Sequence, residues 1–161
     1  MLKKNMYLVF VFSCVLLTFC KKKEIKHENL EGISPALESC KKFYNTQMVQ
    51  ELKDKVLLGD TLSFKELESI YWDSGHSKEF LYFAQIMAEN HDYGRAYYSV
   101  YQIIKPDSVN STNIRINKLA IYYLIKANEK GYEYAKYSLQ ETFNELSTIP
   151  TSSDYWKKID K

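Results

Sequence analysis

Apolar positions follow helical spacing along most of the chain. After Pro35 they fall at 37, 40, 44, 48, 52 and 56. Steps of three and four keep these side chains on one face, so the pattern predicts one long helix over 36–58. Gly59-Asp60 ends it, because glycine adopts the left-handed conformation in which helices commonly close. Ser63-Phe64-Lys65-Glu66 has the form of a capping box, in which two side chains satisfy free backbone N–H groups reciprocally. The helix it starts, 63–73, turns Leu67, Ile70 and Tyr71 inward and stops at Ser74-Gly75. Further helical patterns cover 77–90, 93–104, 114–130 and 132–146. Pro106 and the polar run 107–113 separate two of them, and Pro150 ends the last. A short capping helix fits 153–161. Few runs alternate with period two, so strands are not expected and the fold class is all-α.

The first 34 residues have a different pattern. Lys3 and Lys4 precede an uncharged, apolar stretch over 5–19, which ends at Cys20 and is followed by Lys21, Lys22 and Lys23. As a helix the stretch reaches roughly 24 Å, short of the ~30 Å hydrocarbon layer of a bilayer. A secretory leader fits this better than a membrane span, and the lysines behind it oppose translocation of an uncleaved anchor. Leu17-Thr18-Phe19-Cys20 resembles a bacterial lipobox, although Phe19 stands where that motif has a small residue. The resemblance implies cleavage before Cys20 and acylation of its thiol. The expected organisation is a lipoprotein-type signal peptide over 1–19, a lipidated cysteine and tether over 20–34, and a helical domain over 35–161. An uncleaved anchor and simple secretion are the alternatives.

Charge and cysteine content narrow the classes. The chain has 22 basic and 20 acidic residues in 161. The leader holds two lysines and no acid, so its removal balances the charge and leaves no bulk attraction for nucleic acid. Of three cysteines, Cys14 lies in the leader and Cys20 would carry lipid, leaving Cys40 alone. One cysteine cannot make a disulfide scaffold. It reads as a small buried hydrophobe.

An internal repeat sets the expected architecture. Residues 80–101 align with 119–140 without gaps. Identities fall at Ala88/Ala127, Tyr93/Tyr132, Ala96/Ala135, Tyr98/Tyr137 and Ser99/Ser138. A self-match at this period between helix pairs is the mark of an α-solenoid. The alanines let neighbouring helices approach closely, and Tyr98 and Tyr137 are expected in the core.

These residues resemble the Sel1-like repeat, a relative of the tetratricopeptide repeat. The run from Ala120 through Lys126-Ala127-Asn128-Glu129-Lys130-Gly131 matches that family's second helix and closing glycine. Tyr132-Glu133-Tyr134-Ala135-Lys136-Tyr137-Ser138-Leu139 matches the start of the next repeat. The resemblance is good over 119–143 and fainter over 63–104. Asp92 replaces the first repeat's glycine, and Gln140 replaces the one after Leu139. The resemblance implies a short solenoid of about two to two and a half repeats, with helix 36–58 and the tail as caps.

Candidate chemistry is thin. His27, His76 and His91 lie in the tether or at helix ends, and no zinc spacing, catalytic triad or phosphate loop occurs. Glu66 with Glu68, or Asp73 with Glu79, could be paired as acid and base, but Glu66 reads as a cap and the others as solvated. No cofactor, metal site or catalytic residue is expected, and the chain reads as a non-enzyme.

Fourteen tyrosines are the more telling feature, since tyrosine is enriched at interfaces. Residue pairs at one repeat position that alternate aromatic with charge point to a surface. Arg95, Tyr97, Tyr101, Tyr134 and Lys136 are the resulting candidates for a partner-binding groove, lined by helices 63–73, 93–104 and 132–146. The functional expectation is a membrane-anchored envelope lipoprotein that binds a protein or peptide. The resemblance permits a version that neutralises a secreted antibacterial toxin, as an immunity protein. A scaffolding lipoprotein without a discrete ligand is the alternative, with an enzyme behind it.

Overall fold

Helix α1, Pro35–Phe43, begins at Ser34, whose hydroxyl accepts from the Leu37 N–H, and has proline in its first turn, where no backbone donor is needed. A second helix, α2, spans Thr46–Leu57. The two therefore replace the single helix expected over 36–58. Asn45 makes the break: its side chain accepts from the Met48 N–H and starts α2 afresh. The apolar phase changes with it. Leu37 and Tyr44 are exposed, Phe43 packs against the core, and Val49, Leu52 and Val56 are buried.

The structure, a computed structural model, describes residues 34–106, 114–143 and 149–159. All fall within one compact unit, Ile33–Lys161. The leader, Cys20, the tether before Ser34 and the end of the expected helix 132–146 beyond Phe143 lie outside the described residues.

Six further helices and one 3-10 turn follow among the described residues. Helix α3 spans Thr61–Asp73, a 3-10 turn Ser77–Phe80 leads into α4 at Leu81–Glu89, and α5 spans Gly94–Ile104. Helices α6, α7 and α8 span Ile114–Glu129, Glu133–Phe143 and Ser152–Ile159. The described residues are all-helical, without strands. Helix α3 does not start on the expected capping box. Asp60 caps it, accepting from the Ser63 N–H at 2.6 Å, which places Ser63 inside the helix and buried. Glu66 is exposed on that helix. Aspartate and serine are comparably good N-caps, and here Asp60 takes the role three residues before Ser63.

Neighbours in sequence pack on one another: α2 on α3, α4 on α5, α5 on α6, and α6 on α7; α6 also packs on α8. Helix α1 also lies against α3. The core runs through Phe64, Leu67, Phe80, Met87, Val100, Leu124 and Leu139, all fully buried. Ala88, Ala96, Ala127 and Ala135 are fully buried at the contacts between them.

Turns close in a common way. After α2, α3 and α6, glycines 59, 75 and 131 take positive φ of 91°, 81° and 75°. At each, the N–H after the glycine reaches back five residues, as Tyr132 to the Ala127 carbonyl at 3.0 Å. Asp92, at the repeat position of Gly131, also takes positive φ, 54°. It is held there by Lys130, which binds one carboxylate oxygen, and by the Tyr97 hydroxyl, which donates to the other at 3.3 Å. The two turns meet: a Cβ on Gly94 would stand 3.0 Å from the Lys130 Cβ.

Candidate functional site

A cleft of about 370 Å3 opens between α3 and α5. Two helical stripes build it. On α3, Glu68, Ser69, Trp72 and Asp73 repeat at one-turn spacing, and on α5, Arg95, Tyr98, Ser99 and Gln102 do the same. Tyr132, in the turn before α7, contributes a further wall.

The floor is polar and braced. Glu68 is only 9% exposed. It accepts from Arg95 Nε at 2.6 Å and from the Ser99 hydroxyl. Both carboxylate oxygens are therefore satisfied, which a buried acid requires. Partial burial of Arg95 opposes its charge, the Glu68 carboxylate favours it, and the guanidinium is held protonated more firmly than usual. Glu68 was expected on a solvated face. The partner that buries it comes from 27 residues away.

The mouth carries different chemistry. Asp73 ends α3 and accepts from Ser69 at 2.9 Å and from Ser39 of α1 at 3.2 Å. Trp72 is 39% exposed. Tyr98 and Tyr132 pack ring to ring at 5.1 Å. Gln102 donates to the Tyr98 hydroxyl at 2.6 Å, and that hydroxyl lies 3.2 Å from Ser138 of α7. Burial pushes the Tyr132 phenol above its ordinary range, so it stays neutral at physiological pH.

The five residues picked from the sequence scatter. Arg95 lies in the cleft. Tyr97 does not: it is 3% exposed and packs toward Tyr123 with its ring under Lys126. Burial, first of several causes, raises its pKa. Tyr101 is half-buried beside Tyr98 and faces Lys105. Tyr134 is exposed and touches the cleft wall through Tyr132, with ring centroids 5.6 Å apart. Lys136 is exposed and lines a separate hollow with Glu129, Ile149 and Pro150. Residues two apart on a helix point about 200° apart, so Arg95 and Tyr97 could not share a face. Glu68 and Asp73, which read as solvated acids, Tyr98, which reads as core, and Trp72, Ser99 and Gln102, which the sequence reading leaves out of the groove, join Arg95 in the cleft. Their one-turn spacing on two helices was the available signal.

Tyr137, expected in the core like Tyr98, is 58% exposed. Tyr98 is covered by Tyr132 and Ser138 from the next unit. Among the described residues, no ring from a following helix covers Tyr137.

Among the described residues no group of histidine, cysteine or acidic side chains could hold a metal ion, and no helix is long and apolar enough to cross a membrane. Cys40 is half-buried and free. The chain matches no protein-family model, no curated protein and no solved structure.

Proposed function

We propose that the chain is a binding module that holds a protein or peptide segment in the cleft between α3 and α5. The observation that carries this reading is an exposed tryptophan at the mouth of a cleft with a braced polar floor and tyrosine walls. Interfaces draw most of their energy from a few tryptophan, tyrosine and arginine anchors set in such surroundings.

The finer reading is a Sel1-like helical repeat, displayed at the bacterial envelope by a lipid on Cys20. The matched turns at Asp92 and Gly131 support the repeat, as do the buried alanine pairs Ala88/Ala127 and Ala96/Ala135. The lipobox-like sequence before Cys20 supports the anchor. An immunity protein that caps a secreted toxin is one form of this reading.

Selection of peptides from a random display library on the full chain tests it. Selected peptides are expected to lose capture on Trp72→Ala and to keep it on Trp156→Phe, with helicity unchanged in both. Capture indifferent to Trp72 would overturn the cleft as the binding surface. For the anchor, Cys20→Ser is expected to abolish labelling by a palmitate analogue and to release the chain from membranes.

A further inference from the structure

We propose that the cleft receives a basic side chain, arginine or lysine, carried on a polypeptide partner. This rests on the reading of the cleft as a peptide-binding surface and adds the chemistry of what enters it.

Charge is the first argument. The lining has two carboxylates, Glu68 and Asp73, against one guanidinium, Arg95. Arg95 and Glu68 compensate one another at 2.6 Å. Asp73 is left with hydrogen bonds from the hydroxyls of Ser39 and Ser69. Among the described residues no basic side chain forms an ion pair with it. Hydroxyls satisfy a carboxylate's lone pairs without cancelling its charge.

Its place in the helix adds to the imbalance. Asp73 is the last residue of α3, and the last turn contains no basic residue. The C-terminal end of a helix carries partial negative charge and favours a cation there. The carboxylate thus sits at the end of the helix where its own charge is least welcome. A cation arriving from outside meets both fields at once.

The walls give an independent reason. Trp72 offers an exposed indole, and the rings of Tyr98 and Tyr132 border the same space. Aromatic faces attract ammonium and guanidinium groups, most strongly where water is partly excluded. A volume of about 370 Å3 accepts a long side chain and its neighbours. Tyr134 explains why the cation belongs to a chain. It is exposed and continues the aromatic surface beyond Tyr132, a contact that a free amine would not reach.

The test uses the full chain in neutral detergent and follows the indole N–H resonances of Trp72 and Trp156. The probes are the peptide acetyl-Gly-Ala-Arg-Ala-Gly-amide, its counterpart with glutamate for arginine, and n-butylguanidinium. The arginine peptide is expected to shift the Trp72 signal and leave Trp156 in place, while the glutamate peptide shifts neither. Asp73→Asn, which keeps one oxygen to accept from both serines as Oδ2 does now, should weaken the arginine peptide by about fivefold without changing the melt. Tyr134→Ser should weaken the peptide by about threefold and leave n-butylguanidinium unaffected. Equal shifts from both peptides, or full affinity in Asp73→Asn, would overturn the cation while leaving peptide binding in the cleft intact. Free n-butylguanidinium binding as tightly as the peptide would overturn the polypeptide source. No response of Trp72 to any probe would overturn the inference, and the display selection would still decide the cleft's role separately.

Discussion

The turn over 90–94 and the turn over 129–133 align at an offset of 39 residues and each closes through one residue of positive φ, yet with different residues. Gly131 reaches positive φ at little steric cost, and a Cβ there would meet nothing within 4 Å. Asp92 reaches it with a side chain anchored to Lys130 and Tyr97. The first route spends backbone freedom in the unfolded chain, and the second recruits contacts from the neighbouring unit. One helix further on, the units part. Tyr98 is covered and hydrogen-bonded, and Tyr137 is largely bare. The two aligned segments therefore share a positive-φ turn and buried alanines. They do not share burial of a large side chain, which depends on what packs next.

The alanine pair gives the largest test of that equivalence. Ala96→Leu and Ala135→Leu each force extra methylenes into a fully closed contact and should cost about 1–3 kcal/mol. Ala96 should be the worse, because α5 lies between α4 and α6. Denaturation midpoints in urea measure both, and an unchanged midpoint for either would break the register between the units.

Next comes the turn itself. Gly131→Ala meets open space, so its cost is conformational alone, about 1 kcal/mol. Thermal melting should show it. A neutral result would mean that positive φ at this position is not what joins the two turns.

The tyrosines sharpen the contrast. Tyr98→Phe removes the hydroxyl that meets Gln102 and Ser138 and should cost about 0.5–1.5 kcal/mol. Tyr137→Phe should stay within about 0.5 kcal/mol of the parent. Equal losses in the same melts would contradict the different burial of the pair.

The smallest effect is in pH. The Lys130 hydrogen bond, first among several causes, holds the Asp92 carboxyl below its ordinary range. A carboxyl with a folded pKa below its unfolded value near ~3.9 stabilises the fold fully above that value. The contribution drains away as pH falls through the folded pKa. Asp92→Gly should therefore flatten the acid limb of the stability curve below about pH 4 and leave the curve above pH 5 parallel to the parent's.

Much of the helical layout is legible from local pattern. The boundaries 93–104 and 114–130 lie within one residue of α5 and α6, because glycine, proline and the apolar stripe all act within a few residues. The expected helix 36–58 failed where Asn45 could serve either as a surface residue or as a cap, a choice that packing of Phe43 on His76 and Tyr71 decides. The cleft was the least legible part. Glu68 owes its burial to Arg95 and Ser99 on another helix, and no local period announces such a partner. Arg95 was found for its character. Tyr97 was chosen for its exposure at a twin position, which Lys136 has and Tyr97 lacks.

The brace of Glu68, Arg95 and Ser99 has a kinetic consequence. It ties α3 to α5 across the cleft floor before any ligand arrives. The receptor side then has no ordering step to complete during association. Observed rates should rise linearly with ligand concentration in a single phase, and differences between ligands should appear chiefly in how fast they leave. Cutting the brace with Glu68→Gln should leave the encounter step in place and add a slow phase, the time the two helices need to find their spacing.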